Sequence, residues 1–84
     1  MTEFNWLENS QKVFEESLKA APLPFRKVTK SSLTKGLTKV VGEGGDVREV
    51  DVVKAIKQNS PAPFIAMGLK AIEPYLTDAS ILES

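Results

Sequence analysis

The sequence predicts an all-α fold, a small bundle of about four short helices over residues 5–21, 25–41, 51–59 and 61–73. Apolar residues recur at intervals of three and four residues in each of these segments, which is the spacing of one helix face. Prolines and glycines stand between the segments, where helices end. The length of 84 residues suits one domain over the whole chain, and the hydrophobic content of 42% is typical of a folded protein.

The first predicted helix begins near Asn5, because asparagine is a favourable N-cap residue. Glu8 stands three residues further on, as in a capping box. Phe14 and Leu18 belong to the apolar stripe of this helix. Pro22 ends it, because proline disfavours helical geometry in the residue before it.

The second predicted helix has Leu33 and Leu37 on its apolar stripe. Its start has two interpretations: Pro24 is the first helical residue, or Thr29 caps a later start after an extended stretch. Gly36 lies inside the helix and weakens it by about 1 kcal/mol relative to alanine. A glycine at this position also permits close contact with another helix.

The rest of the chain contains one turn and two further helices. Residues 42–46 are rich in glycine and predict a turn. Asp51 is predicted to cap the third helix, and Ser60 with Pro61 to open the fourth. Pro74 ends the fourth helix, and residues 77–84 are expected to form a frayed tail.

Large apolar side chains outside the main stripes are expected to pack within the bundle. Phe64 and Met67 broaden the apolar side of the fourth helix. Trp6, Phe25 and Tyr75 are of a type that more often packs between helices than holds a ligand.

The chain contains no cysteine and no histidine. Disulfides, thiolate or imidazole metal sites and the common nucleophilic triads are therefore excluded. No carboxylate pair is placed for acid–base chemistry, so the sequence predicts no enzyme, no cofactor and no metal. The start of the chain lacks the pattern of a signal peptide, and no apolar run reaches the length of a membrane span. We therefore expect a soluble, cytoplasmic protein.

A basic window is the clearest candidate for a functional surface. From residue 24 to residue 42 the chain has five basic residues and no acidic one. Cations at the start of a helix face the positive end of its dipole, so Arg26 and Lys27 stand at electrostatically unfavourable positions. Residues at unfavourable positions are candidates for a functional role. On a helical wheel, Arg26 and Lys30 lie towards the apolar stripe, whereas the other lysines lie away from it. The candidate binding residues are Phe25, Arg26, Lys27, Lys30 and Lys35.

Three interpretations of this window remain open: a solvated face, a surface for a protein partner, or a nucleic-acid-binding helix. Nucleic acid is disfavoured, because the sequence pI is about 6.2 and no aromatic residue is interleaved with the lysines. A protein partner is favoured among the functional interpretations.

The order of these features resembles the small helical domain at the C-terminus of the B subunit of light-independent protochlorophyllide reductase, which also occurs as stand-alone proteins. The resemblance covers residues 5–57. It is carried by Trp6, by the helix that ends at Pro22, by Arg26 and the basic helix, and by the glycine turn before Val50 and Asp51. Asp51 stands where that family usually has threonine.

The resemblance implies a non-catalytic accessory module, with a reductase complex as partner and a tetrapyrrole as candidate ligand. In that enzyme the chemistry belongs to iron–sulfur clusters on other domains, and this chain has no cysteine to hold one. Arg26 is the residue to which the resemblance assigns a role, because a guanidinium can bind a carboxylate or phosphate through two hydrogen bonds.

Overall fold

Four helices and one very short sheet make up the fold. The computed structural model describes residues 4–60 and 62–83. In chain order the elements are β1 (Asn5–Trp6), α1 (Ser10–Lys19), α2 (Arg26–Val41), β2 (Asp46–Val47), α3 (Glu49–Asn59) and α4 (Ala62–Ile72). Short 3-10 turns lie at Leu23–Phe25, Glu73–Tyr75 and Ala79–Glu83. The predicted all-α fold class is confirmed.

Helix α3 is the centre of the bundle and packs against α1, α2 and α4. Its apolar residues fall on more than one face, so several helices can cover it at once. The buried apolar core consists of Val13, Phe14, Leu33, Leu37, Val47, Val52, Val53, Ala55, Ile56 and Ile72. Trp6 and Tyr75 pack against this core, as expected for large aromatic side chains.

The first helix starts later than the sequence predicts, at Ser10 rather than near Asn5. Asn5 and Trp6 instead form β1, which pairs in parallel with β2. The side chain of Asn5 donates a hydrogen bond to Asp46 (2.9 Å) and therefore caps no helix. Glu8 has a φ angle of 56° and turns the chain into α1. The predicted capping box is wrong because the backbone of this segment is paired with β2.

Helix α2 begins at Arg26, directly after the 3-10 turn that contains Pro24, so the earlier of the two predicted starts is correct. Gly36 is buried where α2 and α3 cross. A Cβ built on it would lie 2.2 Å from the side-chain nitrogen of Asn59, so the close helix contact expected at this glycine is confirmed. Gly42, with φ of 82°, ends α2 and begins the predicted turn.

Helix α3 begins at Glu49, two residues before the predicted N-cap Asp51. Asp51 nevertheless acts on the helix start, because its carboxylate accepts a hydrogen bond from the backbone nitrogen of Arg48 (2.9 Å). Its capping role is therefore exerted from the third helical position.

Helix α4 is described from Ala62, and Pro61, predicted to open it, lies outside the described residues. Beyond α4, residues 77–83 differ from the frayed tail expected over 77–84, and residue 84 lies outside the described residues. Residues 79–83 form a 3-10 turn in which Ile81 and Leu82 pack against the core. The ammonium group of Lys57 donates a hydrogen bond to the carbonyl of Leu82 (2.6 Å), which ties this turn to α3.

Within residues 4–60 and 62–83, none of the helices combines the length and the apolar character that crossing a membrane requires.

Candidate functional site

An open cavity of about 230 Å³ lies where the end of α1, the start of α2 and the first turns of α4 meet. We call it the apolar groove. Its floor includes the buried side chains of Leu33 and Ile56. Its principal apolar wall residues are Pro22, Phe25, Val28, Phe64 and Met67.

The groove gathers most of the large apolar surface that the described residues expose. Phe25 is 55% exposed and Met67 is 50% exposed, and Val28 and Phe64 are exposed beside them. Among the described residues, one further large apolar side chain is exposed, Leu23, which lies between the groove residues Pro22 and Phe25 in sequence but does not line the groove. A monomeric domain rarely leaves so many apolar side chains together in water, and such patches mark interaction sites.

The local sequence explains why the groove stays open. Pro22 and Pro24 lie between α1 and α2, where they interrupt helical hydrogen bonding and keep the two helices separate. Ala20, Ala21 and Gly68 line the groove and offer little side-chain volume to fill it. Small residues at a three-helix junction leave a hollow that the neighbouring Phe25 and Phe64 border.

The segments that line the groove are rich in basic residues and contain no acidic one. All groove residues come from segments 17–42 and 52–72, and neither segment contains an aspartate or a glutamate. The same two segments contain nine of the 11 lysines and arginines. Since the net charge of the chain is zero, its acidic residues are concentrated in the other segments.

One of these cations, Lys19 at the end of α1, is already paired. Its ammonium group donates a hydrogen bond to Glu16 (3.1 Å), and Lys12 forms a second ion pair with the same carboxylate (3.2 Å). The hydrogen bond from Lys19 is the main cause that lowers the pKa of Glu16. Lys19 is therefore engaged within the chain.

The five candidate residues from the sequence are not all in one place. Phe25 forms part of the groove wall. Lys27 and Lys30 are exposed on α2 and have no hydrogen bond or ion pair to any described residue. Lys35 lines a second, shallow cavity further along α2.

Arg26 has a structural partner. Its Nε donates a hydrogen bond to the carbonyl of Ala21 (3.1 Å) and its Nη2 to that of Lys19 (3.2 Å). Lys19 is the last residue of α1 and Ala21 lies two residues after it, where backbone acceptors lack helical partners and the dipole favours a cation. Although α2 alone disfavours a cation at its start, the end of α1 compensates for Arg26.

We expect Arg26→Met to lower the free energy of unfolding by about 1 kcal/mol, because two carbonyls of α1 lose their donor. For a domain of this size the melting temperature should fall by about 4–8 °C. Thermal unfolding followed by circular dichroism measures this, with Lys27→Met as the matched control, for which we expect almost no change. An unchanged melting temperature in Arg26→Met would show that its guanidinium does not stabilise the end of α1.

Sequence reasoning missed three residues of the groove: Val28, Phe64 and Met67. The assignment of Phe64 and Met67 to a packed apolar side of the fourth helix is wrong, because both are exposed. One feature of the sequence could have revealed them. Residues 62–67 are all apolar, and a helix against a small bundle can bury only part of such a surface.

The acidic residues near the glycine turn have separate roles. Asp46 accepts the hydrogen bond from Asn5, and Asp51 accepts the bond from the backbone of Arg48. Glu49 is buried and accepts hydrogen bonds from Thr77. Across the part of the chain that the structure describes, no three acidic, histidine or cysteine side chains gather as metal ligands would.

Comparison with known proteins returned no match to a protein-family model, to a curated protein or to a solved structure. The function of this chain is therefore inferred from the groove and the charges around it.

Proposed function

We propose that this chain is a non-catalytic binding module that docks a segment of a partner protein in the apolar groove. The single observation that supports this most strongly is the grouping of Phe25, Val28, Phe64 and Met67 around an open hollow. Full burial of an exposed side chain of this kind contributes about 1.5–3 kcal/mol, and about half of that is still available from side chains that are half exposed, so a partner that covers several of them gains useful affinity.

The size and shape of the groove favour a protein segment over an enclosed small molecule. Its volume of about 230 Å³ is below the roughly 300–1,000 Å³ of typical small-molecule sites. A tetrapyrrole, the ligand that the sequence resemblance implies, would therefore be left largely uncovered. A reductase complex, the partner class that the same resemblance implies, remains compatible with a docked protein segment.

Nucleic acid is the less favoured partner. Binding to phosphates needs a continuous basic surface, and the chain has a net charge of zero. Phe25 and Met67 instead expose apolar area to a partner. Apolar wall residues with cations nearby suit a protein segment better than a phosphate backbone.

An unbiased peptide selection tests the proposal. A displayed library of random 16-residue peptides is selected on the wild-type protein and on the double variant Phe25→Ser/Met67→Ser. Both side chains are half exposed, so their loss should leave the fold intact, as circular dichroism would check. We expect the wild type to enrich peptides with apolar anchors, and the double variant to bind them at least tenfold more weakly.

Leu23→Ser is the matched control, because Leu23 is 74% exposed yet does not line the groove. This variant should bind the selected peptides as the wild type does. Enriched peptides that bind the double variant equally well would place the docking surface elsewhere. A selection that enriches nothing on the wild type would contradict the proposal as a whole.

A further inference from the structure

The apolar groove continues into a second cavity of different chemistry. This shallow cavity follows α2 towards its end and shares Ser32 and Asn59 with the groove. Its other lining residues are Thr34, Lys35, Thr38, Lys39 and Glu43. An apolar hollow and a cavity with hydroxyl and ammonium groups therefore adjoin each other along one helix.

Two lysines determine the charge of this second cavity. Lys35 and Lys39 are four residues apart and hence project from the same side of α2, one turn from each other. Both are exposed, and neither has a hydrogen bond or ion pair with a described residue. Val28 of the groove belongs to the same stripe of α2: Ser32, Lys35 and Lys39 follow it by about one, two and three turns. Glu43 offsets part of their charge.

The other free cations of α2 face different directions. At 100° per residue, Lys27 and Lys30 fall well away from the stripe that joins Val28 to Lys39. They therefore do not border the second cavity, and neither lines the groove. The local positive charge available to a docked segment comes from Lys35 and Lys39.

The walls of the two cavities favour a helical partner. An extended peptide gains affinity by pairing its backbone with an exposed strand edge. These walls are helices, whose backbone groups are bonded internally. A partner helix satisfies its own backbone and needs only side-chain contacts. Lys39 follows Phe25 by 14 positions along α2 and the turn before it, about 21 Å at 1.5 Å per residue, which a partner helix of about four turns would match.

We infer that the docked segment is an amphipathic helix whose apolar residues enter the groove and whose acidic residues, one or two turns further on, lie over Lys35 and Lys39. This inference rests on the proposed function and adds the chemistry of the partner. A second copy of the chain suits the surface poorly, because a two-fold interface uses the same patch on both copies, so the lysines of each copy would meet a surface that is itself mainly basic.

A charge-swap selection tests the inference. The library consists of amphipathic helical 16-residue peptides with fixed leucines on one face and Glu, Gln or Lys at each flanking position. It is selected on the wild type, on Lys35→Glu/Lys39→Glu, and on the control Lys27→Glu/Lys30→Glu, which has the same net charge change. Selection at 0.15 M salt limits each charge to a range of about 8 Å.

We expect the wild type and the control to enrich Glu at the same flanking positions, and Lys35→Glu/Lys39→Glu to enrich Lys there. Resynthesised Glu peptides should bind the Lys35→Glu/Lys39→Glu variant at least tenfold more weakly than they bind the control. Peptides enriched without charge preference would overturn the acidic partner but leave groove docking intact. No enrichment on any of the three proteins would overturn both proposals.

Two further measurements test whether a second copy of the chain or a membrane occupies this surface instead. Sedimentation of the wild type over a range of concentrations should show a monomer, and a dimer abolished by Phe25→Ser/Met67→Ser would assign the groove to a second copy. Vesicles of phosphatidylcholine with phosphatidylserine should not retain the protein. Retention lost in Lys35→Glu/Lys39→Glu would assign the surface to an anionic membrane instead.

Discussion

Replacement of Glu49 by alanine should lower the free energy of unfolding by about 3 kcal/mol, because a buried carboxylate is removed and its hydrogen-bond donors lose their acceptor. Glu49 is 0% exposed at the start of α3. Its carboxylate accepts hydrogen bonds from the backbone nitrogen of Thr77 (2.7 Å) and from the hydroxyl of Thr77 (2.9 Å). It also accepts a longer bond from the backbone nitrogen of Asn9 (3.4 Å).

These bonds join three parts of the chain that are distant in sequence. They hold the residues after α4 and the turn before α1 to the first turn of α3. The start of α3 suits the carboxylate, since the helix dipole favours an anion there. In Glu49→Ala the donors of Thr77 and Asn9 lose their acceptor, so the final segment should loosen along with the loss of stability.

Urea unfolding followed by fluorescence measures the loss. Trp6 is the single tryptophan and packs against Phe14 with 5.2 Å between ring centroids. Its emission therefore reports whether the bundle is folded. Glu15→Ala, on the exposed side of α1, is the control and should change the stability by less than about 0.5 kcal/mol. Equal stability of the Glu49 and Glu15 variants would mean that water replaces the carboxylate without cost.

The second large effect is expected for Leu37→Ala, with a loss of about 2–5 kcal/mol. Leu37 is fully buried in α2 and belongs to the core that covers α3. The substitution removes apolar contacts and leaves a cavity that two helices in close contact at Gly36 cannot easily fill. A domain of this size has a total stability of roughly 5–10 kcal/mol, so the variant should be close to unfolding at moderate temperature.

Leu23→Ala makes the same chemical change at an exposed position and should be almost neutral. The pair therefore separates burial from the intrinsic properties of leucine and alanine. If both variants unfolded at the same urea concentration, the assignment of Leu37 to the core would be contradicted.

The helices themselves could be predicted because each contains a local pattern. Leu33 and Leu37 recur at helical spacing in α2, and Val52, Val53 and Ile56 do so in α3. All five are buried. The positions of proline and glycine, which interrupt helices, predicted the helix ends to within a few residues. The error at Asn5 arose from a non-local contact: nothing near Asn5 in sequence shows that its backbone will pair with β2, about forty residues away.

The candidate site was predicted only in part. The proline–phenylalanine segment and Lys35 were recognised from their local sequence, and Phe25 lies in the groove wall. Val28, Phe64 and Met67 were missed, because exposure depends on what the other helices leave uncovered. The interpretation of Arg26 also depended on tertiary structure, since its partners are the carbonyls of another helix.

The sequence by itself determined the all-α class and most of the buried residues, because helix periodicity and helix breakers act over a few neighbouring residues. Because the sequence contains no cysteine and no histidine, it also excluded disulfides, thiolate or imidazole metal sites and the common nucleophilic triads. Only the tertiary structure decided where apolar area stays exposed and which cations lie beside it. The groove between Phe25 and Met67 and its continuation to Lys35 join residues from distant parts of the chain, and no local pattern encodes the gap between packed helices.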